Sequence, residues 1–284
     1  LAGAPLRGGE KEVSGKSGEI FWFSADGRYV LKTIQDAEAA TLIDMLPEYT
    51  KYLAEHPDSL LTRYLGVYRL TDNGVVTQIV VMNNVFEGSQ KLDATYDLKG
   101  TTEDRWVEPG DGRCLKDNNF AESAVFLPDD LARSFHRAIA SDTKFLEKQG
   151  IMDYSLMLAV SYAPRAEGAA VRRYSRLIGG LPGTEVKVYG EPVKCEIFVG
   201  MVDMLVTYGW KKVAAHVIKG FTIGLSDEID TEPPDRYASR FRLNFGRKVR
   251  GHSEHLAVTR VPADLFQTPL PALGRSGGTA AFFG

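Results

Sequence analysis

Charged residues recur in this chain beside apolar, strand-like runs, where they could together hold a polyphosphate and a metal ion. Asp153 is the most informative, because it stands where a predicted helix ends and an apolar strand begins, in Gly150-Ile-Met-Asp-Tyr-Ser-Leu156. An aspartate after a helix is more often a turn former or a cap. The repetition favours a phosphate site with a base for an acceptor hydroxyl. The repeated residues are Lys32, Asp97, Lys99 and Asp203.

Lys32 and Asp203 both stand in otherwise apolar runs. A lysine on an inward face needs an anion to offset its desolvation, although an edge lysine would simply point to water. A carboxylate buried without a partner would cost several kcal/mol, so we expect a metal ion or a lysine beside Asp203. We also expect Glu38, on the following helix, to pair with Lys32 as the equivalent helix glutamate does in protein kinases; the alternative is an exposed glutamate.

A glycine-rich stretch, Gly15-Lys16-Ser17-Gly18, immediately precedes a predicted strand. Its amides could turn toward phosphates, because glycine tolerates a close approach, but an ordinary turn fits equally well. The stretch lacks the spacing GxxxxGK[ST], and no helix-rich βα unit follows it. A P-loop nucleoside triphosphatase is therefore disfavoured.

The composition is that of a globular protein of 284 residues, with 44% hydrophobic and 25% charged residues, and two lobes around a cleft fit this length. No apolar run approaches the roughly 18 residues of a spanning helix. The net charge of -3 gives no general attraction for nucleic acid or anionic lipid. Cys114 and Cys195 stand far apart without a CxxC pattern, which argues against structural zinc and disulfides and favours a cytosolic setting. The chain begins at Leu1 without a signal peptide, so we expect a domain cut from a longer protein.

Turn signals and apolar spacing predict an antiparallel N-terminal sheet of five strands with one helix. The predicted segments are strands Ile20–Phe23, Tyr29–Ile34, Leu60–Leu70 and Val75–Phe86, and a helix from Asp36 to Ala54. In the second half we expect a helix from Leu127 to Gln149 that ends at Gly150, and strands Met152–Val160 and Cys195–Val206. We expect residues 163–183 to form a mobile insertion and the tail after Pro262 to be poorly ordered.

Several motifs, in this order, resemble those of the phosphatidylinositol phosphate kinases over approximately Ser14 to Phe245. They are Ser14-Gly-Lys-Ser-Gly18, Leu31-Lys-Thr-Ile34, Val81-Met-Asn-Asn-Val-Phe86, Tyr96-Asp-Leu-Lys-Gly-Thr101, Leu115-Lys-Asp117, Ile151-Met-Asp-Tyr-Ser-Leu156 and Gly200-Met-Val-Asp203. The resemblance implies a two-lobed α+β fold, with an antiparallel N-lobe sheet and helix, a mixed C-lobe, and a distant likeness to protein kinases. It places the N-lobe at 1–86, the C-lobe at 87–262 with an activation segment at 207–241, and a flexible tail at 263–284.

The resemblance also assigns roles to individual residues. Asp153 becomes the catalytic aspartate, Lys99 a cation beside the transferred phosphate, and Asp203 the Mg²⁺ ligand. The implied ATP contacts are Gly15, Lys16, Ser17, Gly18, the phosphate lysine Lys32, and the adenine hinge Met82, Asn83, Asn84 and Val85. The implied partner is a phosphoinositide lipid at the cytosolic face of a membrane, bound peripherally, with no transmembrane segment and no nucleic acid.

Substrate choice in this family depends on the activation segment, where Lys211, Lys212, Ala215 and Lys219 would meet the lipid headgroup, followed by Tyr237 to Phe241. The 5-kinases carry a glutamate at the position of Ala215 and the type II 4-kinases an alanine, which favours the 5-phosphate lipid as substrate. Val81-Met-Asn-Asn84 instead resembles the 5-kinase branch. Either reaction yields the same 4,5-bisphosphate.

Some features depart from the family pattern. Ala159-Val-Ser-Tyr162 replaces a Gly-Ile-His, which predicts weakened activity. An acidic run should weaken docking on an anionic membrane; its members are Asp227, Glu228, Asp230, Glu232 and Asp235. The dimerisation elements of type II relatives are not recognisable, so the oligomeric state does not carry over. The alternative function is a weakly active phosphoinositide sensor or scaffold, although intact Lys32, Asp153 and Asp203 argue against it. A protein kinase is disfavoured because the HRD and APE sequences are absent.

Overall fold

The structure is a computed structural model, and it describes residues 6–7, 19–89, 91–110, 112–162, 175, 177–178, 180–187, 192–209 and 232–254. The helices of these residues are α1 (Asp36–Glu55), α2 (Asp129–Lys148) and α3 (Pro234–Lys248), with a short 3-10 helix at Asp117–Phe120. The strands are β1 (Leu6–Arg7), β2 (Phe21–Ser24), β3 (Tyr29–Ile34), β4 (Tyr64–Asp72), β5 (Val75–Asn83), β6 (Ala94–Leu98), β7 (Ala124–Leu127), β8 (Ile151–Met152), β9 (Ser155–Ser161), β10 (Leu181–Lys187), β11 (Val193–Val202), β12 (Val206–Thr207) and β13 (Val249–Gly251). No described helix is both long enough and apolar enough to cross a bilayer.

The N-terminal sheet is antiparallel and has the strand order β1-β2-β3-β5-β4, which confirms a five-stranded antiparallel sheet, although its fifth strand, β1, is not among the four segments that the sequence located. Asn73 and Gly74 both have positive φ between β4 and β5, as a tight hairpin turn requires. The predicted strand start at Leu60 is wrong. Leu61 instead bridges to Met201 in the other sheet, and β4 begins only at Tyr64.

The second sheet is mixed and has the order β13-β7-β10-β11-β9-β6, in which β13 and β7 are parallel and the other pairs antiparallel. The chain before β4 joins it to the first sheet, because Thr62 N–H donates to Met201 O at 2.9 Å and Met201 N–H to Leu60 O at 2.8 Å. One apolar core runs through both halves. The molecule is therefore an α+β protein of two lobes. Most of the predicted insertion and all of the predicted tail lie outside the described residues, but Leu181 already belongs to β10.

A fully buried carboxylate, Asp142, joins the two long helices. It lies on α2 and accepts hydrogen bonds from Tyr52 Oη of α1 and from Leu60 N–H, both at 2.7 Å. The Tyr52 ring also stacks on Phe145 of α2, with centroids 4.5 Å apart. Burial raises the pKa of Asp142 to about 6, against the opposing effect of these hydrogen bonds. The contact between the lobes thus depends on a group that titrates under mildly acidic conditions.

We expect this carboxyl to make the protein less stable as the pH rises from 4 to 6. The folded chain holds the proton of Asp142 up to a pH of about 6, whereas the unfolded chain releases it near pH 4. The stabilisation from this group is therefore fully present below pH 4 and is lost as the pH rises through 6. The free energy of unfolding should fall by about 3 kcal/mol at most. Urea unfolding of the wild type and of Asp142→Asn from pH 4 to 7 measures it. Parallel pH profiles for the two proteins would contradict the expectation.

Candidate active site

Two aspartates stand where paired strands are interrupted. β8 pairs with β12 through Met152 and Val206, and β9 pairs with β11 through Ser155 and Val202. Asp153 follows Met152 and has φ +66°, and Asp203 follows Val202 and has φ +59°. Such left-handed backbone is uncommon outside glycine, but aspartate tolerates it better than most residues. The two matching breaks bring both carboxylates to one corner of the mixed sheet.

Each predicted strand that crosses this corner is therefore two strands. The expected strand Met152–Val160 is divided at Asp153, and the expected strand Cys195–Val206 is divided at Asp203. α2 ends at Lys148, and Gly150, with φ +68°, stands just beyond its end as the sequence predicts; the short strand β8 then leads to the turn at Asp153. Asp153 thus lies at a corner after α2, as predicted, but the interruptions at Asp153 and at Asp203 correct both predicted strands.

Lys99 meets Asp153 at this corner. Lys99 follows the last residue of β6, and β6 lies beside β9 with Leu98 opposite Leu156. The pairing carries the lysine to the corner at Asp153, where its Nζ is 2.6 Å from Asp153 Oδ1. Both side chains keep part of their surface open, 21% for the lysine and 28% for the aspartate. The pair can therefore be reached by a ligand.

Lys32 is the second cation of the site, and its side chain is almost entirely buried. Its Nζ lies 2.7 Å from Asp203 Oδ1 and 2.9 Å from Glu19 Oε2. Burial alone would lower the pKa of Lys32, but the two carboxylates outweigh it and raise the pKa. Burial also raises the pKa of Glu19, and Lys32 offsets only part of that effect. The inward-facing lysine with an anionic partner is confirmed, whereas Asp203 is 44% exposed rather than buried.

The predicted pairing of Lys32 with Glu38 is wrong. Glu38 accepts a hydrogen bond from the backbone N–H of Gln35 at 2.8 Å and so caps α1. Glu19, which sequence reasoning missed, takes its place. The signal was available in the hairpin register, because Phe21 lies opposite Lys32 and Glu19, two residues earlier, faces the same side of the sheet.

The predicted adenine hinge leads from the end of β5 toward the second sheet. Asn83 accepts from Arg63 N–H at 2.6 Å through its side chain, and the Asn84 side chain donates to Gly27 O at 2.8 Å. These two amides are therefore engaged in holding the hinge. The backbone N–H and C=O of Val85 bond to nothing within the described part of the chain. They are the groups that a planar base could use.

A family model described as Phosphatidylinositol-4-phosphate 5-Kinase matches residues 9–178 and 182–248. The chain belongs to the phosphatidylinositol phosphate kinase family. It is 30% identical to the human phosphatidylinositol 5-phosphate 4-kinases type-2 alpha and type-2 beta, over 84% and 81% of this chain and 68% and 67% of theirs. It is 28% identical to a probable phosphatidylinositol phosphate kinase of Dictyostelium discoideum over 82% of this chain. The chain spans only 41% of that relative.

The rest of the predicted kinase site is divided between described and undescribed residues. Four of the predicted residues form two ion pairs, Lys32 with Asp203 and Lys99 with Asp153. The remaining predicted contacts lie outside the described residues; they are Gly15, Lys16, Ser17, Gly18, Lys211, Lys212, Ala215 and Lys219.

The end of the predicted activation segment forms the start of a helix whose aromatic side chains are buried. Residues 234–241 begin α3, and Tyr237 and Phe241 are fully buried. Tyr237 Oη donates to the backbone O of Tyr154 at 2.5 Å, directly beside Asp153. Glu232, from the acidic run just before α3, forms an ion pair with Arg240 of α3. This described end of the segment therefore packs against the corner at Asp153.

We expect Gly200→Ala to destabilise this kinase by about 1–3 kcal/mol, the usual effect of overpacking. A Cβ at Gly200 of β11 would lie 2.5 Å from Val85 Cγ1, so the hinge and the strand could not keep their contact. Adding Val85→Ala makes room and should restore most of the loss. Urea unfolding of the single and double variants measures this; wild-type stability in Gly200→Ala, or no recovery in the double variant, would contradict it.

Proposed function

We propose that this chain transfers the γ-phosphate of ATP to an inositol hydroxyl of a phosphatidylinositol monophosphate, which yields phosphatidylinositol 4,5-bisphosphate. The observation that carries the proposal is the pair of lysine–aspartate contacts, Lys32 with Asp203 and Lys99 with Asp153, at two matching strand breaks. Two cations and two carboxylates are the groups that phosphoryl transfer requires. Membership in a family of lipid kinases supports the choice of acceptor.

ATP would lie between the two sheets, with its base at the hinge and its phosphates at Lys32. The backbone groups of Val85, which bond to nothing among the described residues, would supply a donor and an acceptor for adenine. Lys32 is already held with its ammonium in place by Asp203 and Glu19, so it needs little reorganisation to bind a phosphate. We place the boundary between the N-lobe and the C-lobe at this hinge, after residue 86.

Asp203 is the residue that would hold Mg²⁺. The described residues contain no group of three potential metal ligands. Mg²⁺ in phosphoryl-transfer sites is bound through one or two carboxylates together with substrate phosphates, so the half-exposed Asp203 carboxylate fits that requirement. When bound, the ion supplies neutralisation of the phosphate oxygens.

Asp153 would act on the acceptor. Its carboxylate takes the proton of the inositol hydroxyl while the oxygen forms a bond to the γ-phosphorus and the bond to ADP breaks. Lys99, 2.6 Å from the carboxylate, places a positive charge beside the phosphoryl group in transit. The chain contributes mainly position and charge, because a loose transition state needs little covalent help.

We propose the 5-phosphate lipid as the substrate, bound at a membrane surface through Lys211, Lys212 and Lys219. Ala215 supports this choice, and so do the names of the human relatives at 30% identity. The protein would act peripherally at the cytosolic face, since its substrate lies there.

Ala215→Glu should shift the preference toward the 4-phosphate lipid. We expect the ratio of kcat/KM for the two lipids to change by about tenfold or more, because a charge at this position alters one headgroup contact. Transfer of labelled phosphate to vesicles that contain either lipid measures the ratio, with Ala214→Glu as the neighbouring control. An unchanged ratio, or an equal shift in the control, would overturn the role of Ala215.

A further inference from the structure

The turn that carries Lys99 depends on one carboxylate, that of Asp117. The backbone N–H of Lys99 donates to both oxygens of Asp117 at 3.1 Å, and the N–H of Gly100 donates to Oδ1 at 2.7 Å. Gly100 has φ +75°, which turns these consecutive amides toward the same acceptor. Asp117 is only 9% exposed, so water competes little for these bonds.

Arg105 holds the same carboxylate from the other side. Its Nε donates to Asp117 Oδ2 at 2.8 Å, and its guanidinium also bonds the backbone O of Asp97 and lies 3.2 Å from the Asp97 carboxylate. Arg105 is as buried as Asp117. The two residues therefore connect both ends of the segment Asp97–Lys99 into one frame, and charge-assisted bonds of this kind are the stronger hydrogen bonds of proteins.

The segment before Asp117 runs alongside β6, and this contact positions Asp117. Leu115 N–H donates to Thr95 O, and Asp97 N–H donates to Leu115 O, both at 2.8 Å, so the segment before the 3-10 helix runs alongside β6. From the opposite side α3 closes on the turn, because a Cβ at Gly100 would lie 3.4 Å from the Cα of Phe241. The backbone of Lys99 and Gly100 is thus fixed from two sides, while the Lys99 side chain reaches Asp153.

We propose that Asp117 is a positioning residue for the transfer reaction: it fixes the backbone at Lys99 so that the lysine ammonium meets Asp153 and the phosphoryl group. It acts through Lys99 and does not itself touch substrate. The inference rests on the proposed function for its effect on rate, but the geometric part stands independently of any activity.

Asp117→Asn is the sharpest variant. An amide has one acceptor oxygen and an NH₂ group, so it cannot accept from two backbone N–H groups and a guanidinium at once, and a donor must face a donor. The shape of the side chain is unchanged. Asp129→Asn is the matched control, because Asp129 also accepts a backbone N–H, that of Ser253 at 3.0 Å, but stands at the opposite end of α2 from Asp153.

Amide hydrogen exchange, resolved at Lys99 and Gly100, tests the geometry without ATP or lipid. We expect exchange at these two amides to be about tenfold faster or more in Asp117→Asn and unchanged in Asp129→Asn. Unchanged exchange in Asp117→Asn would overturn the proposal whether or not the chain is a kinase. A wild type without transferase activity would count against the proposed function only.

Kinetics test the effect on rate and exclude a merely structural role. A displacement of the lysine should lower kcat about tenfold to hundredfold, with KM for ATP within about twofold of the wild type. In a Lys99→Ala background, Asp117→Asn should add less than about twofold. A full further loss in the double variant, or a change confined to KM for ATP, would overturn the proposal. If Asp117→Asn does not fold, Asp117→Glu, which keeps the charge but moves the carboxylate by one methylene, is judged by the same criteria.

Discussion

Asp153→Asn should reduce phosphate transfer by about a hundredfold to ten-thousandfold, the usual loss when a general base is removed. The amide cannot take the proton of the acceptor hydroxyl, but it can still accept the hydrogen bond that Lys99 donates to Oδ1. Asparagine also tolerates the left-handed backbone of this position, φ +66°, so the corner should keep its shape. We therefore expect vesicle binding and thermal unfolding close to those of the wild type.

A matched control lies at the other end of β6. Asp93, just before that strand, pairs with Lys91 at 2.9 Å as Asp153 pairs with Lys99, but away from the corner. Asp93→Asn should transfer phosphate at nearly the wild-type rate. Substantial activity in Asp153→Asn, or an equal loss in Asp93→Asn, would show that the assigned base is wrong.

Lys32→Met should lower kcat/KM for ATP by about a hundredfold to a thousandfold, the scale of losing one preorganised charge contact. Methionine is close to lysine in length and can replace its buried stem, but it leaves the carboxylates of Asp203 and Glu19 close together without a cation. Their repulsion, together with the missing positive charge, should exclude the triphosphate. Nucleotide binding by calorimetry and steady-state kinetics measure the loss.

Lys91→Met is the control for this variant, because the Lys91 side chain is 72% exposed and its ion-pair partner is Asp93 rather than a residue of the proposed phosphate site. Exposed ion pairs of this kind contribute little. An ATP saturation curve for Lys32→Met that matches the wild type would contradict the role of Lys32 in binding phosphate.

The sequence predicted those parts of the site that depend on local signals. Turn residues gave the β2–β3 and β4–β5 hairpins and hence the place of Lys32, and the helix end at Gly150 gave the corner at Asp153. The break at Asp203 was not visible, because its flanking residues are apolar on both sides. Its left-handed backbone follows from the pairing of two distant strands, β8 and β9, with the segments around it.

The partner of Lys32 could not be decided from helix position alone. Glu38 is three residues after Gln35, and such a glutamate bonds back to the cap residue of its own helix. Glutamine is not among the usual cap residues, so the pattern gave no warning. The carboxylate of Glu38 therefore bonds the start of its own helix, and the carboxylate of Glu19 lies beside Lys32 instead.

Two further features required the tertiary structure. The buried side of α3 carries an aromatic residue every four positions, Tyr237, Phe241 and Phe245. This helical pattern was missed because Tyr237 and Phe241 were assigned to the activation segment by motif alone. Asp117 reaches Lys99 across 18 residues of chain, so nothing in its local sequence revealed the contact.

The most direct test of the account is transfer of labelled γ-phosphate from ATP, with Mg²⁺, to vesicles that carry the 5-phosphate or the 4-phosphate lipid. We expect a labelled bisphosphate from the wild-type chain, formed preferentially from the 5-phosphate lipid and lost in Asp153→Asn. Vesicle binding without any labelled lipid from either substrate would contradict the account and would favour the phosphoinositide sensor or scaffold.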